Sequence, residues 1–261
     1  YIISIQLLNA KWHFSYQMIA YIDTNDDGIV DIPNSPTVKA DMLKSVSSPS
    51  GAVMSVDYKA STQYKKADGT LANPKLAAPY WTVSKITTNP GLGGAVQTDT
   101  YQYEGGSIFF NNSYDKKFAG FEKVTKTNDA GSVVVYNHQG NGNNSVYGET
   151  SDSYGRIGRP YKVETFDKGS RLMKRALTVY GESSLSSAVN PTGVTAPVFV
   201  YISKQVEEMY DGLSTHRDKA TEYVFDTSNG NLMKTVDWGE VTSTGSGSFV
   251  DSGNDKVTTT Q

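Results

Sequence analysis

Apolar and polar residues in this chain alternate far more often than they recur at helical spacing. QTDTYQYEGG (97–106) places Asp99, Tyr101 and Tyr103 on one side and Thr98, Thr100 and Gln102 on the other, the period of two that a strand requires. GSVVVYN (131–137) reads as a second strand opened by the turn NDAG. RPYKVETFDKGSRLMKRALTVYGE (159–182) reads as a long hairpin folded at DKGS. Two stretches carry helix-compatible patterns. One is SIQLLNAKWHFSYQMIA (4–20); the other is SKQVEEMYDG (203–212), in which Val206, Met209 and Tyr210 would share a face and Gly212 would stop the helix. The second is flanked by strand-like VFVYI and ATEYVFD, so residues 198–210 are expected to be a strand. Segments 138–158 and 181–197 are poor in aliphatic residues and rich in Gly, Asn and Ser, as loops are, and TSTGSGSFVDSGND (242–255) reads as a linker or loose hairpin. The predicted class is all-β, with long antiparallel strands.

Composition narrows the function more than the fold. With a net charge of −3 and mixed signs, the chain has no basic footprint, so neither nucleic acid nor an anionic membrane is expected as a partner. The absence of cysteine excludes disulfides, thiolate zinc sites and cysteine nucleophiles, and fits an exported bacterial chain. The apolar N-terminal stretch is interrupted by Gln6, Asn9, Lys11, His13 and Gln17 and is too polar to span a bilayer; it also lacks the features of a signal peptide. The start at Tyr1 and the polar close SGNDKVTTTQ point to a segment of a longer protein.

One internal repeat is visible. FDKGSRLMKRALTVYG begins at Phe166 and FDTSNGNLMKTVDWG at Phe225, sharing F-D, Gly, L-M-K, then an aromatic and Gly. Repeated hairpins of this kind form arrays in which each unit buries what it cannot bury alone. In TEYVFDTSNGNLMKTVDWG (221–239), Tyr223, Phe225, Asp226, Gly230 and Leu232 fill the slots of a YD (Rhs) repeat, which this stretch resembles. Leu43, Gly51, Tyr58, Ser61, Thr62, Tyr101, Tyr103, Gly106, Phe118, Gly120 and Phe121 supply a longer pattern. That pattern resembles the segment after the β-propeller in toxin-complex B components and plasmid virulence B-like proteins. LANPKLAAP (71–79) has no counterpart in it. The resemblance implies a Rhs-like β-shell, a cocoon that encloses a toxic polypeptide.

DTNDDGIVD (23–31) concentrates oxygen ligands. Asp23, Asn25 and Asp27 at positions 1, 3 and 5, the Ile29 carbonyl at 7 and Asp31 at 9, turned by Gly28, suit a hard cation, so structural Ca²⁺ is expected. An EF-hand is excluded because Asn34 stands where its glutamate belongs and Pro33 would obstruct the exit helix. The spacing resembles propeller calcium loops of the integrin type. The alternative is a solvated acidic turn.

Nothing nominates a catalytic group, and the chain is expected not to be an enzyme. His13, His138 and His216 form no metal-binding pair, and His138 and His216 read as surface residues. Glu207 and Glu208, adjacent on a strand, should face opposite ways, both at the surface. GLGG (91–94) reads as a turn, and the tyrosines as cross-strand packing. The expected organisation is a propeller-like end with the calcium-type loop (1–36), toxin-complex-B-like shell strands (37–180), and YD-type hairpins with a polar tail (181–261). The expected role is a shell segment of a large secreted toxin-complex or Rhs-like virulence protein, with the remaining shell and a toxin cargo as partners. An extracellular adhesion, glycan-binding or protein-binding β module is the alternative.

Overall fold

The structure, a computed structural model, describes residues 2–7, 10–17, 42–76, 78–185, 196–253 and 255–260. The chain divides into two compact units. The first comprises Tyr1–Lys59 and Trp81–Thr100. Its strands are β1 (Ile2–Leu7), β2 (Ala10–Gln17), β3 (Met42–Ser47), β4 (Val53–Ala60), β5 (Trp81–Asn89) and the start of β6 (Gln97–Phe110). They follow one another in chain order, with antiparallel pairing. The helical option for residues 4–20 is therefore overturned, since Ile2–Leu7 pairs antiparallel with Ala10–Gln17. The reason lies in the sequence: Trp12, Phe14 and Tyr16 alternate with Lys11, His13, Ser15 and Gln17, and that period of two outweighs the helix propensity of the leucines. GLGG is a turn, closed by a Gly94 N–H to Gly91 carbonyl bond of 2.9 Å.

The second unit comprises Ala60–Tyr80 and Tyr101–Gln261. After β6 come β7 (Lys116–Asn128), β8 (Gly131–Asn137), β9 (Pro160–Asp167), β10 (Leu172–Ser184), β11 (Val198–Met209), β12 (Arg217–Asp226), β13 (Asn231–Ser243), β14 (Phe249–Asp251) and β15 (Val257–Thr260). Each strand up to β14 lies beside its sequence neighbours, and β15 pairs back onto β13. The expected strand at 198–210 is present as β11. The loose hairpin at 242–255 is β13–β14, closed by Thr244 N–H to the Ser248 carbonyl. Among the described residues no helix is long and apolar enough to cross a membrane.

The repeated motif folds twice in the same way. Phe166 pairs with Leu172 across the β9–β10 turn and Phe225 with Leu232 across β12–β13, and in both the register slips next to the motif. Each aspartate ties its own turn: Asp167 accepts from the Arg171 N–H at 2.8 Å, and Asp226 from the Ser228 N–H at 2.9 Å. A carboxylate that caps the turn's N–H groups fixes loop length and hence register.

Apolar burial in this unit is thin and local. Leu177, Val206, Ala220 and Val241, one from each of β10 to β13, make one core with Trp238 and Phe249 against it. Val134, Tyr136 and Tyr161 make a second, with Tyr147 and Phe166. Sheet rows of this kind gain stability from cross-strand neighbours. On β10, Gly181 stands opposite Tyr201, whose ring lies where a Gly181 side chain would be, so the ring covers backbone.

Candidate functional site

Three residues of the family-like pattern within the second unit, Ser61, Tyr103 and Gly106, converge on a residue outside that pattern, Asn73. Its amide donates to the carbonyls of Ser61 at 2.8 Å and Tyr103 at 3.0 Å, and its Oδ1 accepts from the Gly106 N–H at 2.8 Å. Asn73 is buried, and its three bonds satisfy backbone groups that would otherwise be orphaned. Gly106 has no room for a side chain: a Cβ would sit 2.5 Å from Leu76 and 3.0 Å from Phe121. Aromatic rings complete the cluster, with Tyr64 and Phe121 at 5.5 and 4.9 Å from Tyr103, and Tyr80 stacked on Phe118 at 4.1 Å. Burial pushes the Tyr103 hydroxyl up to about 12. In the first unit, Tyr58 donates to the Leu43 carbonyl at 2.9 Å, joining two more residues of the pattern.

The loop between β8 and β9 folds into a polar knot. Its first residue, His138, reads as a surface residue in the sequence; in the structure it is 2% exposed, so that expectation is corrected. Its Nδ1 lies 2.7 Å from Glu149 Oε1 and 3.4 Å from Asp152 Oδ1, carboxylates that are 4% and 0% exposed. Backbone N–H groups of the loop hold both carboxylates. Asp152 accepts from the Gly140 N–H at 3.0 Å and the Gly142 N–H at 3.1 Å, and Glu149 from the Asn144 N–H at 2.8 Å. Gly140 and Gly142 have φ of +71° and +91°, which glycine adopts without strain, and this aims their N–H groups inward. Burial works to lower the affinity of His138 for a proton, but hydrogen bonds with Asp152 and Glu149 outweigh it and hold its pKa above the ordinary value. Asp152 is held below the carboxylate range, burial being overcome by His138 and the Gly140 N–H.

Beside the knot opens a polar cavity of about 440 Å³, lined among others by Lys66, Lys75, Glu122, Asn144 and Glu149. Glu122 accepts a hydrogen bond from the Asn144 amide. Among the described residues His138, Glu149 and Asp152 are the group whose ligand-type atoms all lie within 4.8 Å of one another.

A charged row crosses the sheet. Glu164, Arg175, Glu208 and Asp218 are aligned in register on β9 to β12. Arg175 bonds Glu164 at 2.9 Å, Glu208 at 3.0 Å and the Tyr210 hydroxyl at 2.9 Å. Glu208 also accepts from Ser243 at 2.6 Å, and Tyr136 donates to Glu164 at 3.1 Å. Glu207 and Glu208 do face opposite ways, but Glu208 is 1% exposed rather than at the surface. Glu207 reaches Lys174 and Lys219 on the other face at 2.7 and 3.0 Å. Burial of Glu208 is tolerable because a guanidinium and two hydroxyls satisfy it.

The calcium-type ligands Asp23, Asn25, Asp27, Ile29 and Asp31 lie outside the described residues. His216 is partly buried against Asp218.

Residues 17–139 match the family model of the insecticide toxin TcdB middle/N-terminal region. The fold is similar to a chain in the crystal structure of TcdB2-TccC3-Cdc42, with a TM-score of 0.57 at 11% identity. The likeness covers 75% of this chain and 12% of that one, so this chain spans a small part of the solved protein's length. No curated protein matches it.

Proposed function

For this toxin-complex B component-like, all-β chain, we propose the role of a wall segment in a shell that encloses a toxic polypeptide for delivery. The observation that carries the reading is the uninterrupted run of β6 to β14 in chain order, with the same Phe-Asp hairpin used at β9–β10 and β12–β13. These hairpins are of the YD (Rhs) type in this reading. A sheet built of successive hairpins gives every interior strand two partners and extends by repetition, which suits a barrier. The mechanism is steric: the wall keeps protease and solvent from the cargo until release. The stretch performs no catalysis, its partners are the remaining shell and the cargo, and the complete protein is a secreted bacterial virulence factor.

The complete parent protein, expressed with its cargo, tests this. Its cargo should survive a protease dose that digests free cargo, and deletion of residues 160–243 should expose it. Cargo that is digested equally fast with and without the deletion would remove the reading.

The loop carrying Asp23, Asn25, Asp27, Ile29 and Asp31 binds a structural Ca²⁺ in this account. Calorimetric titration of chelator-stripped protein should give Ca²⁺ binding heat that Asp27→Ala abolishes; no heat in either protein ends that proposal.

A further inference from the structure

The polar knot at residues 138–152 poses a problem of charge and of donors. One ring nitrogen faces two carboxylate oxygens, at 2.7 and 3.4 Å. A proton on Nδ1 can be donated well to Glu149 and only poorly to Asp152, and a buried pair of carboxylates beside one imidazolium keeps a net negative charge. A second observation points the same way. Tyr161, 6% exposed, lies with its ring 4.9 Å from the imidazole, and its buried hydroxyl has no hydrogen-bond partner. His138, Tyr161 and Arg156 share a void of about 20 Å³, room for one water-sized species. An orphaned buried hydroxyl at such a void is the mark of a missing partner.

We propose that His138, Glu149 and Asp152 bind a divalent transition-metal ion of the Zn²⁺ class. The donor set is one imidazole and two carboxylates, which suits zinc and excludes metals that demand thiolate. Tetrahedral bonds of about 2.0 Å put neighbouring ligand atoms roughly 3.3 Å apart. The Asp152 separation matches that edge, and the Glu149 oxygen needs to retreat by about half an ångström on the same basis. The supporting shell is already built: Gly140, Gly142 and Asn144 N–H groups hold the carboxylates in orientation. Glu149 also lines the cavity of about 440 Å³, which gives the ion a path from solvent. The ion's role is to clamp a loop with little apolar core onto the sheet. This site is separate in sequence from the calcium-type loop and does not depend on the shell reading.

The test uses the whole chain, stripped by chelator and dialysed against Zn²⁺. Elemental analysis should give one equivalent of zinc per chain, X-ray absorption a shell of nitrogen and oxygen only with one imidazole, and the thermal midpoint should rise on zinc addition. Asp152→Asn and Glu149→Gln should each weaken binding at least tenfold. Because a knot variant can lose its fold, the wild-type absorption spectrum decides alone. No stoichiometric zinc in the wild type, or a spectrum without imidazole, overturns the site and leaves an imidazolium held between two carboxylates.

Discussion

Removing the guanidinium of Arg175 strands two buried carboxylates. Glu164 and Glu208 are 10% and 1% exposed at the side chain, and Arg175 is the cation bonded to both, at 2.9 and 3.0 Å. Breaking a fully buried pair by deleting one partner costs about 3 to 5 kcal/mol. Arg175 is 27% exposed, so water screens part of that loss and Arg175→Met should cost about 2 to 3 kcal/mol. Urea unfolding of the chain, followed by tryptophan fluorescence to which Trp238 packed on Phe249 contributes, reads this as a fall in midpoint of about 1 M. Arg175→Met combined with Glu164→Gln and Glu208→Gln removes the stranded charges and should recover most of the loss, since whole buried ionic groups are replaceable by neutral ones at little cost. A single variant within about 0.5 kcal/mol of wild type, or a triple variant no better than the single, refutes the reasoning.

Two further predictions rest on local geometry and charge. At Gly131, φ is +146° and a Cβ would lie 2.0 Å from the Phe166 carbonyl oxygen, so Gly131→Ala should cost about 2 kcal/mol or more. Gly69→Ala, at a positive φ but in open space, should cost about 1 kcal/mol in the same denaturation assay. Burial acts to raise the pKa of Glu207, but the Lys174 and Lys219 bonds outweigh it and hold it below its ordinary value of 4.5. Its stabilisation is therefore present above 4.5 and disappears as pH falls through the lower folded value. Glu207→Gln should therefore lower stability by about 0.5 kcal/mol at neutral pH and converge with wild type in acid, as measured by urea titration across pH.

What could be read from the sequence is what is local. Phe166-Asp167 and Phe225-Asp226, each followed by a Gly turn and Leu-Met-Lys, announce two hairpins because turn chemistry and register are set within a few residues. Opposite facing of Glu207 and Glu208 follows from strand pleating alone. The burial of Glu208 does not, because its partners Arg175 and Ser243 come from strands more than thirty residues away. His138 was hidden for a related reason. A loop rich in Gly and Asn resembles solvent-facing chain, and its burial rests on polar bonds to Glu149, Asp152 and backbone N–H groups rather than on apolar pattern. The available signal was the clustering of one imidazole and two carboxylates among glycines within fifteen residues. Asn73, outside the residues that carried the resemblance, is the clearest miss: one amide that binds Ser61, Tyr103 and Gly106 leaves no periodicity to detect.

The wall reading turns on whether the two faces of the sheet meet different surroundings. Lys219 and Val224 are exposed positions on β12 with opposite parity. The chain contains no cysteine, so Lys219→Cys and Val224→Cys can each be placed singly. In the complete parent protein, cleared of any other cysteine, a bulky polyethylene-glycol maleimide should modify one of the two and spare the other, while both react after unfolding. Equal modification of both in the folded protein would contradict the account.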